Sequence, residues 1–424
     1  MPSIRRSSYA FLALLLAPLP ACAQGRAGTT LPVPATHAAV RDALDRMKAD
    51  NAWTLTQQRE VCEIPAPPFK EAKRAEELKR RFEALGLRNV RIDAEGNVIA
   101  ERPGAAGEPV VVLSAHLDTV FPEGTDVRVR TEGDRLAGPG IGDDCRGLAV
   151  LLAVARGLEG ARVPTRGTIL FVGTVGEEGA GNLRGVRHLF AKEMPGRIDY
   201  FLSVDGTGLD FVHRAVGSNR YRVRYVGPGG HSYGAFGMPN PTHALGRAIA
   251  LAGDMQVPRD PKTTFNVGVI GGGTSVNSIS AEATMEVDLR SESAEALARL
   301  DSTFRRAVDS ALVAERARWP ESRAELRVVI DTIGIRPAGA QPDSAPIVRA
   351  AVAAARTLGF APRGSASSTD ANVPIGLGVP ALTIDGGGKG EGAHSPDEWY
   401  QDGDRGWLGP QWAALLAVTL AGVR

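Results

Sequence analysis

Cysteine is scarce in this chain. Its 424 residues hold three, Cys22, Cys62 and Cys145, too few for the disulfide framework of a small secreted domain. Cys22 falls in an N-terminal segment of its own. The other two are poorly placed to be read as a framework, so the expectation is a fold that disulfides do not hold together. An excess of charge is also missing: 49 Lys plus Arg stand against 48 Asp plus Glu. No field therefore steers the chain toward nucleic acid or an anionic surface. Beyond the first residues no apolar run is long enough to span a bilayer. What is left is a globular chain with length for two domains at ~100–200 residues each.

Residues 1–23 read as a secretory signal rather than as part of the fold. Arg5 and Arg6 form a charged start, residues 11–16 a short apolar stretch, and Ala21-Cys22-Ala23 a small-residue end, the three parts of such a signal. Two processing readings stay open. Ala21-Cys22-Ala23 suits a signal peptidase, whereas Leu19-Pro20-Ala21-Cys22 resembles a bacterial lipobox, which would leave a lipid on Cys22 as the one membrane attachment. The expected location is outside the cytoplasm, periplasmic or secreted.

The rest is organised around residues 110–120. Val110, Val111, Val112 and Leu113 form a short β-branched run, the pattern of a strand buried on both faces of a parallel sheet. His116 and Asp118 follow where that strand would leave the sheet, and ligands bind at such strand ends in open α/β folds. Ala75, Leu78, Phe82 and Leu85 recur at helical spacing before Gly86, placed as a helix C-terminal cap. Leu148, Leu151, Leu152 and Ala155 predict an apolar helix. Buried strands are predicted over residues 168–172 and 200–204, ending near Glu177-Glu178 and at Asp205. Strands alternating with helices predict an α/β catalytic domain, a mostly parallel sheet with helices on both faces.

Near Gly217 the pattern changes. Tyr221, Val223 and Tyr225 alternate with Arg220, Arg222 and Arg224, and Met285, Val287 and Leu289 with Thr284, Glu286 and Asp288. Such alternation predicts half-exposed antiparallel strands. With helices predicted over residues 242–252 and 294–314, residues 215–333 read as a smaller α+β domain. It interrupts a catalytic domain made of residues 35–214 and 334–424. The arginine stripe reads as a solvated face, with a partner subunit or an acidic substrate as the other readings.

Gly138, Gly140 and Gly142 invite a dinucleotide reading, which fails. The third glycine of G-x-G-x-x-G is Asp143, and acids stand where a pyrophosphate needs N–H groups. The stretch reads instead as a tight turn delivering Asp143 and Asp144. His116, Asp143, Glu178, Asp205 and His394 each fall at or after a predicted strand end. Two imidazoles and three carboxylates can hold two divalent ions if one carboxylate bridges them, and zinc suits such mixed ligands. Adjacent acids diverge at a strand end, so one of Glu177-Glu178 can bind metal while the other takes a proton from water.

At these residues the sequence resembles the dinuclear-zinc exopeptidase and deacylase family that includes peptidase T, glutamate carboxypeptidase, acetylornithine deacetylase and succinyl-diaminopimelate desuccinylase. The matching motifs are residues 114–120, 138–147, 176–179, 204–206 and 392–399, spread over nearly the whole chain in the family's order. The resemblance implies that His116 and Asp205 bind one zinc, Glu178 and His394 the other, and that Asp143 bridges them. It implies Glu177 as general base, Asp118 as the partner that orients His116, and a cis peptide between Asp143 and Asp144. The inserted domain resembles the family's lid and dimerisation domain. There His231 would reach a partner subunit's active site to help stabilise the oxyanion, Asn277 would contact substrate, and Arg290 would receive a substrate carboxylate, for which a guanidinium fork is suited. Cys145-Arg146 departs from relatives, which often carry Lys or Met after the acid pair; a packed, inert thiol is the expectation, with a stray ligand or an oxidation site as the alternatives.

The implied activity is a zinc-dependent exopeptidase that hydrolyses short peptides with a metal-activated bridging water, with Co2+ or Mn2+ as substitute ions. Asp at position 205 favours that reading because it is similar to peptidase T and the dipeptidases. An N-acyl-amino-acid deacylase is the alternative within the same chemistry. A metal-dead binding protein of the same fold is the alternative from another class, disfavoured because ligands and base are all present.

Overall fold

The computed structural model describes residues 31–424. The signal-like segment and Cys22 lie outside the described residues. A nine-stranded sheet forms the centre. Its middle strands, Gly167–Thr174, Gly107–His116, Tyr200–Val204 and Ala381–Ile384, run parallel. Residues of Gly107–His116 alternate between two cores: Val111, Leu113 and Ala115 face one, Val110 and Val112 the other. This is why the run is apolar without a break. Helices Ala38–Ala49, Ala72–Ala84, Cys145–Gly160, Pro346–Thr357 and Leu408–Ala421 supply the first core. Arg184–His188 and Asn372–Gly376 supply the second.

The sheet is parallel in its middle and mixed at its flanks, where Gly364–Ser367 lies parallel to Phe211–Ala215. Arg88–Ile92 and Val98–Arg102 form a hairpin, which a short turn allows only in antiparallel sense, and Val98–Arg102 joins Gly167–Thr174 antiparallel. On the other flank Phe211–Ala215 also runs antiparallel to its neighbour Ala381–Ile384. Gly86 ends the Ala72–Ala84 helix with φ +83°, as its place in the sequence predicted. Among the described residues no helix is long and apolar enough to cross a membrane.

Residues 217–336 form a separate antiparallel sheet in the order Thr263–Gly272, Glu282–Ser291, Gly217–Val226, Arg327–Arg336. Helices Pro241–Gly253 and Ala294–Ala317 pack on one face through Leu245, Leu300, Phe304 and Val308 against Tyr221, Val223, Met285 and Leu289. On the opposite face the arginine stripe is answered by acids: Arg222 pairs with Glu286 at 2.7 Å and Arg224 with Asp331 at 3.0 Å. The two chain crossings lie side by side, and a side chain on Gly217 would collide with Ala338. The buried Asn372 amide donates to Val216 O at 2.8 Å and Pro337 O at 2.9 Å, holding both crossings at once.

One expectation is overturned. Cys62 and Cys145 form a disulfide, with Cα atoms 5.3 Å apart and a sequence separation of 83. The pairing arises because the end of helix Asn51–Cys62 packs on the start of helix Cys145–Gly160. That is a tertiary contact with no local signature. Cys145 is therefore neither a free thiol nor a stray ligand.

Candidate metal centre

His116 ends its strand almost fully buried, and three contacts fix it. Its backbone N–H donates to Asp144 Oδ2 at 2.9 Å, its ring Nδ1 meets Asp118 O at 3.0 Å, and its Nε2 lies 2.9 Å from Asp143 Oδ1. A carbonyl only accepts, so Nδ1 carries hydrogen and Nε2 is the nitrogen turned to the acids. The orienting group expected of Asp118 is thus its main-chain carbonyl. Its carboxylate lies 3.8 Å from the ring and instead accepts from Glu177 N at 3.0 Å and Glu178 N at 2.9 Å, setting the Glu-Glu pair at the next strand end.

The acid pair sits in a turn whose Asp143–Asp144 bond is cis, as the family resemblance implied. Asp144 caps helix Cys145–Gly160, its Oδ1 accepting from Gly147 N at 2.9 Å. The glycine-rich turn does bind an anion through its N–H groups, but an internal one. Glu398 accepts from Gly140 N and Gly142 N at 2.7 Å and from Asp143 N at 2.9 Å. A small sheet of Lys389–Glu391, Trp399–Gln401, Arg135–Ala137 and Arg130–Glu132 brings the two loops together. His394 reaches Asp143 Oδ2 at 3.1 Å and Glu178 Oε1 at 2.9 Å from a backbone of φ +66°, uncommon for a residue with a side chain.

Three groups of metal-compatible atoms result in this cleft, each within 4.8 Å: His116 with Glu177 and Glu178, and two that overlap, His116 with Asp143 and Asp205, and Asp143 with Glu178 and His394. Asp143 belongs to both. Each group offers one imidazole and two carboxylates, a donor set that suits divalent cations such as zinc. Electrostatics fit the same reading. Burial and the charges of Asp143 and Glu177 push Glu178 up to about 7, and burial with Asp143 raises Asp205 well above the carboxylate range. The Asp143 hydrogen bond, against burial, holds His394 up at about 9. Without a cation these sites keep protons at neutral pH. A cation must displace them, so zinc affinity should rise with pH through neutrality and on toward about 9. Titrating the metal-free protein with zinc across that range, with proton release recorded, checks this; a flat profile would remove these groups as ligands.

A cavity of about 760 Å³ opens over the cluster. Glu177, 5% exposed, faces it and accepts from Arg336 Nη1 at 3.0 Å. Arg336 also donates to Glu177 O and to Ser368 Oγ. Burial raises the Glu177 carboxyl, and Arg336 opposes the rise. Arg290 lines the cavity with Arg220 and Arg336. His231 and Asn277 do not; both are exposed, on adjoining segments of the inserted domain. Sequence reasoning missed Arg336, which carries no motif, and Glu398, which lay unremarked within the residue 392–399 motif. Glu398→Ala would leave three amides of the turn without their acceptor. Zinc affinity should fall roughly 10–100-fold, the usual cost of losing an outer support of a metal site; chelator competition measures it, and unchanged affinity would deny Glu398 that role.

The chain has relatives that fit this geometry. It is 26% identical over 345 residues to the uncharacterized protein YqjE of Bacillus subtilis (strain 168), covering 77% of this chain and 87% of that one. It is 29% identical over 227 residues to carboxypeptidase G2 of Pseudomonas sp. (strain RS-16), covering 50% and 53%. The aminopeptidase PepT of Bacillus cereus superposes with TM-score 0.69 at 22% identity over 89% of this chain and 99% of that one. The Bacillus subtilis YXEP protein, described as a dinuclear metal binding peptidase, gives 0.65 at 19% over 89% and 100%. Residues 112–406, which hold the whole metal cluster, match the sequence profile of Peptidase family M20/M25/M40. The chain belongs to that family of hydrolases.

Proposed function

We propose that this hydrolase is a zinc-dependent exopeptidase of short peptides, with Glu177 as general base. The observation that carries the reading is Asp143, shared by two ligand groups beside the buried Glu177 carboxylate, which belongs to neither of them. His116 and Asp205 would hold one cation, Glu178 and His394 the other, and Asp143 both; cobalt or manganese could replace zinc. Bound there, the cations would polarise the scissile carbonyl and acidify a water molecule. Glu177 would take the proton of that water, with Arg336 favouring its ionised form beforehand against burial, and would return the proton to the leaving amine. Asp118 keeps Glu177 and Glu178 apart by holding their backbone amides.

Arg220, Arg290 and Arg336 give the cavity a charge suited to a substrate carboxylate. That observation also favours the second reading, an N-acyl-amino-acid deacylase, because both substrates end in a carboxylate. PepT and carboxypeptidase G2 are named as peptidases, and Asp205 tips the choice toward peptides. His231 would serve the site of a second copy, since it is exposed and lies outside this chain's own cavity. Exposed Ile270 and Val276 on the same side support a homodimer through the inserted domain. Export is supported by residues 1–23 and by the buried disulfide, which suits an oxidising compartment. A screen of di- and tripeptides against N-acyl amino acids, with zinc, cobalt and manganese, tests the reading. Turnover of acyl amino acids alone would replace the peptidase by the deacylase.

A further inference from the structure

The metal turn is fastened covalently from beneath. Cys145 follows Asp144 directly, so the Cys62–Cys145 bond lies two residues from the shared Asp143. Both cysteines are fully buried, among Val129, Ile141 and Tyr400. The helix Asn51–Cys62, which carries Cys62, touches the turn a second time, where Gln58 Nε2 donates to Ile141 O at 2.8 Å. It is referenced to the other half of the site as well. The buried Arg74 guanidinium donates to Cys62 O at 3.3 Å and to Leu117 O at 2.7 Å, between His116 and Asp118. One helix end thus sets the spacing between the strand that presents His116 and the turn that presents Asp143.

We propose that the Cys62–Cys145 disulfide is an oxidative maturation site of the metal centre: the chain gains its full metal affinity only when this bond has formed. The inference rests on the metal-centre reading above. Without the bond, hydrogen bonds alone would hold the turn to that helix, and a turn free to relax would separate the two ligand groups. The covalent tie denies it that relaxation. Formation removes two electrons and two protons from the thiols; a disulfide-bearing oxidant accepts them and leaves as the dithiol. Such oxidants act outside the reducing cytosol, so a copy retained there would stay reduced and hold metal weakly.

Linkage demands the reverse effect: if the bond favours metal, bound metal must protect the bond. Both sulfurs are buried, so a reductant reaches them only when the helix Asn51–Cys62 opens, and cations on the far side of the turn resist that opening.

Two measurements on the purified full-length protein test the proposal. In the first, zinc affinity of the oxidised protein and of the Cys62→Ala/Cys145→Ala variant is compared by competition with a chromophoric chelator. The variant should bind roughly 10–100-fold more weakly, on the scale of a lost outer support. The second needs no variant and so survives a failure of that variant to fold. The native disulfide is reduced by a water-soluble trialkylphosphine, which takes oxygen from water to become the oxide and releases two thiols. Mass spectrometry after alkylation follows the reaction with and without manganese, and reduction should be at least several-fold slower with the metal bound. Equal zinc affinity in the folded variant, or equal reduction rates, would overturn the proposal and leave the metal centre standing. If the oxidised protein binds no divalent metal at all, the metal-centre reading falls and the proposal with it.

Discussion

Asp143→Ala should empty both halves of the metal centre at once. Its Oδ1 meets His116 and its Oδ2 meets His394, and both of the groups proposed to hold the cations contain it. Without it, His116 keeps Asp205 and Glu178 keeps His394, two ligands each where a catalytic zinc ordinarily takes three from protein. Metal content should drop from two ions to less than one per chain, and turnover to background. His394→Ala should be milder, because the group of His116, Asp143 and Asp205 survives it. Elemental analysis after gel filtration, alongside turnover, separates the two variants. If Asp143→Ala kept two ions, the shared-ligand geometry would be wrong.

The second large effect is expected at Glu177. Glu177→Gln keeps the side chain's shape and an oxygen for Arg336 while abolishing proton transfer, worth typically ~10²–10⁴-fold for a general base. Metal content should be nearly unchanged, because neither ligand group that shares Asp143 includes Glu177. The contrast with Asp143→Ala is the test: rate lost with metal kept, against rate lost with metal lost. Full turnover in Glu177→Gln would assign the proton to another group.

What could be read from the chain alone depended on how local its signal was. The run from Val110 to Leu113 advertises a strand buried on both faces, and the acids and imidazoles after such strands sit where an α/β sheet presents ligands. That these acids and imidazoles converge was therefore legible in the sequence, aided by motifs in the family's order. Contacts made between distant segments were not. The antiparallel flanks of the sheet follow from a hairpin and from pairing across the inserted domain. The disulfide joins residues 83 apart whose helices meet only in the folded state. Arg336 is the last residue of the inserted sheet's strand Arg327–Arg336 and contacts Glu177 across a long sequence separation, so nothing near it in sequence marks it. For Asp118 the residue was found but the atom was not. A carboxylate beside a histidine suggests a pair, yet the backbone carbonyl lies closer and the carboxylate finds two amides on a neighbouring strand end.

The Asn372 amide has a mechanical consequence. Asn372 ties Val216 to Pro337, and Arg220 on Gly179 O, Asn182 on Ile335 N and Arg336 on Glu177 fasten the same end of the inserted sheet to the catalytic domain. Ser218 faces both Arg290 and Arg336 across the strands, so these two cations sit at that fastened end. His231 and Asn277 lie at the opposite end of the ten-residue strand Gly217–Val226. At ~3.3 Å per residue that strand is a lever of ~30 Å, so a swing of only ~10° carries its far end by ~5 Å. Radius would thus separate two duties: the groups placed to meet a substrate's charge lie at the fastened end, and those proposed to meet a second copy of the chain would travel farthest in any such rotation.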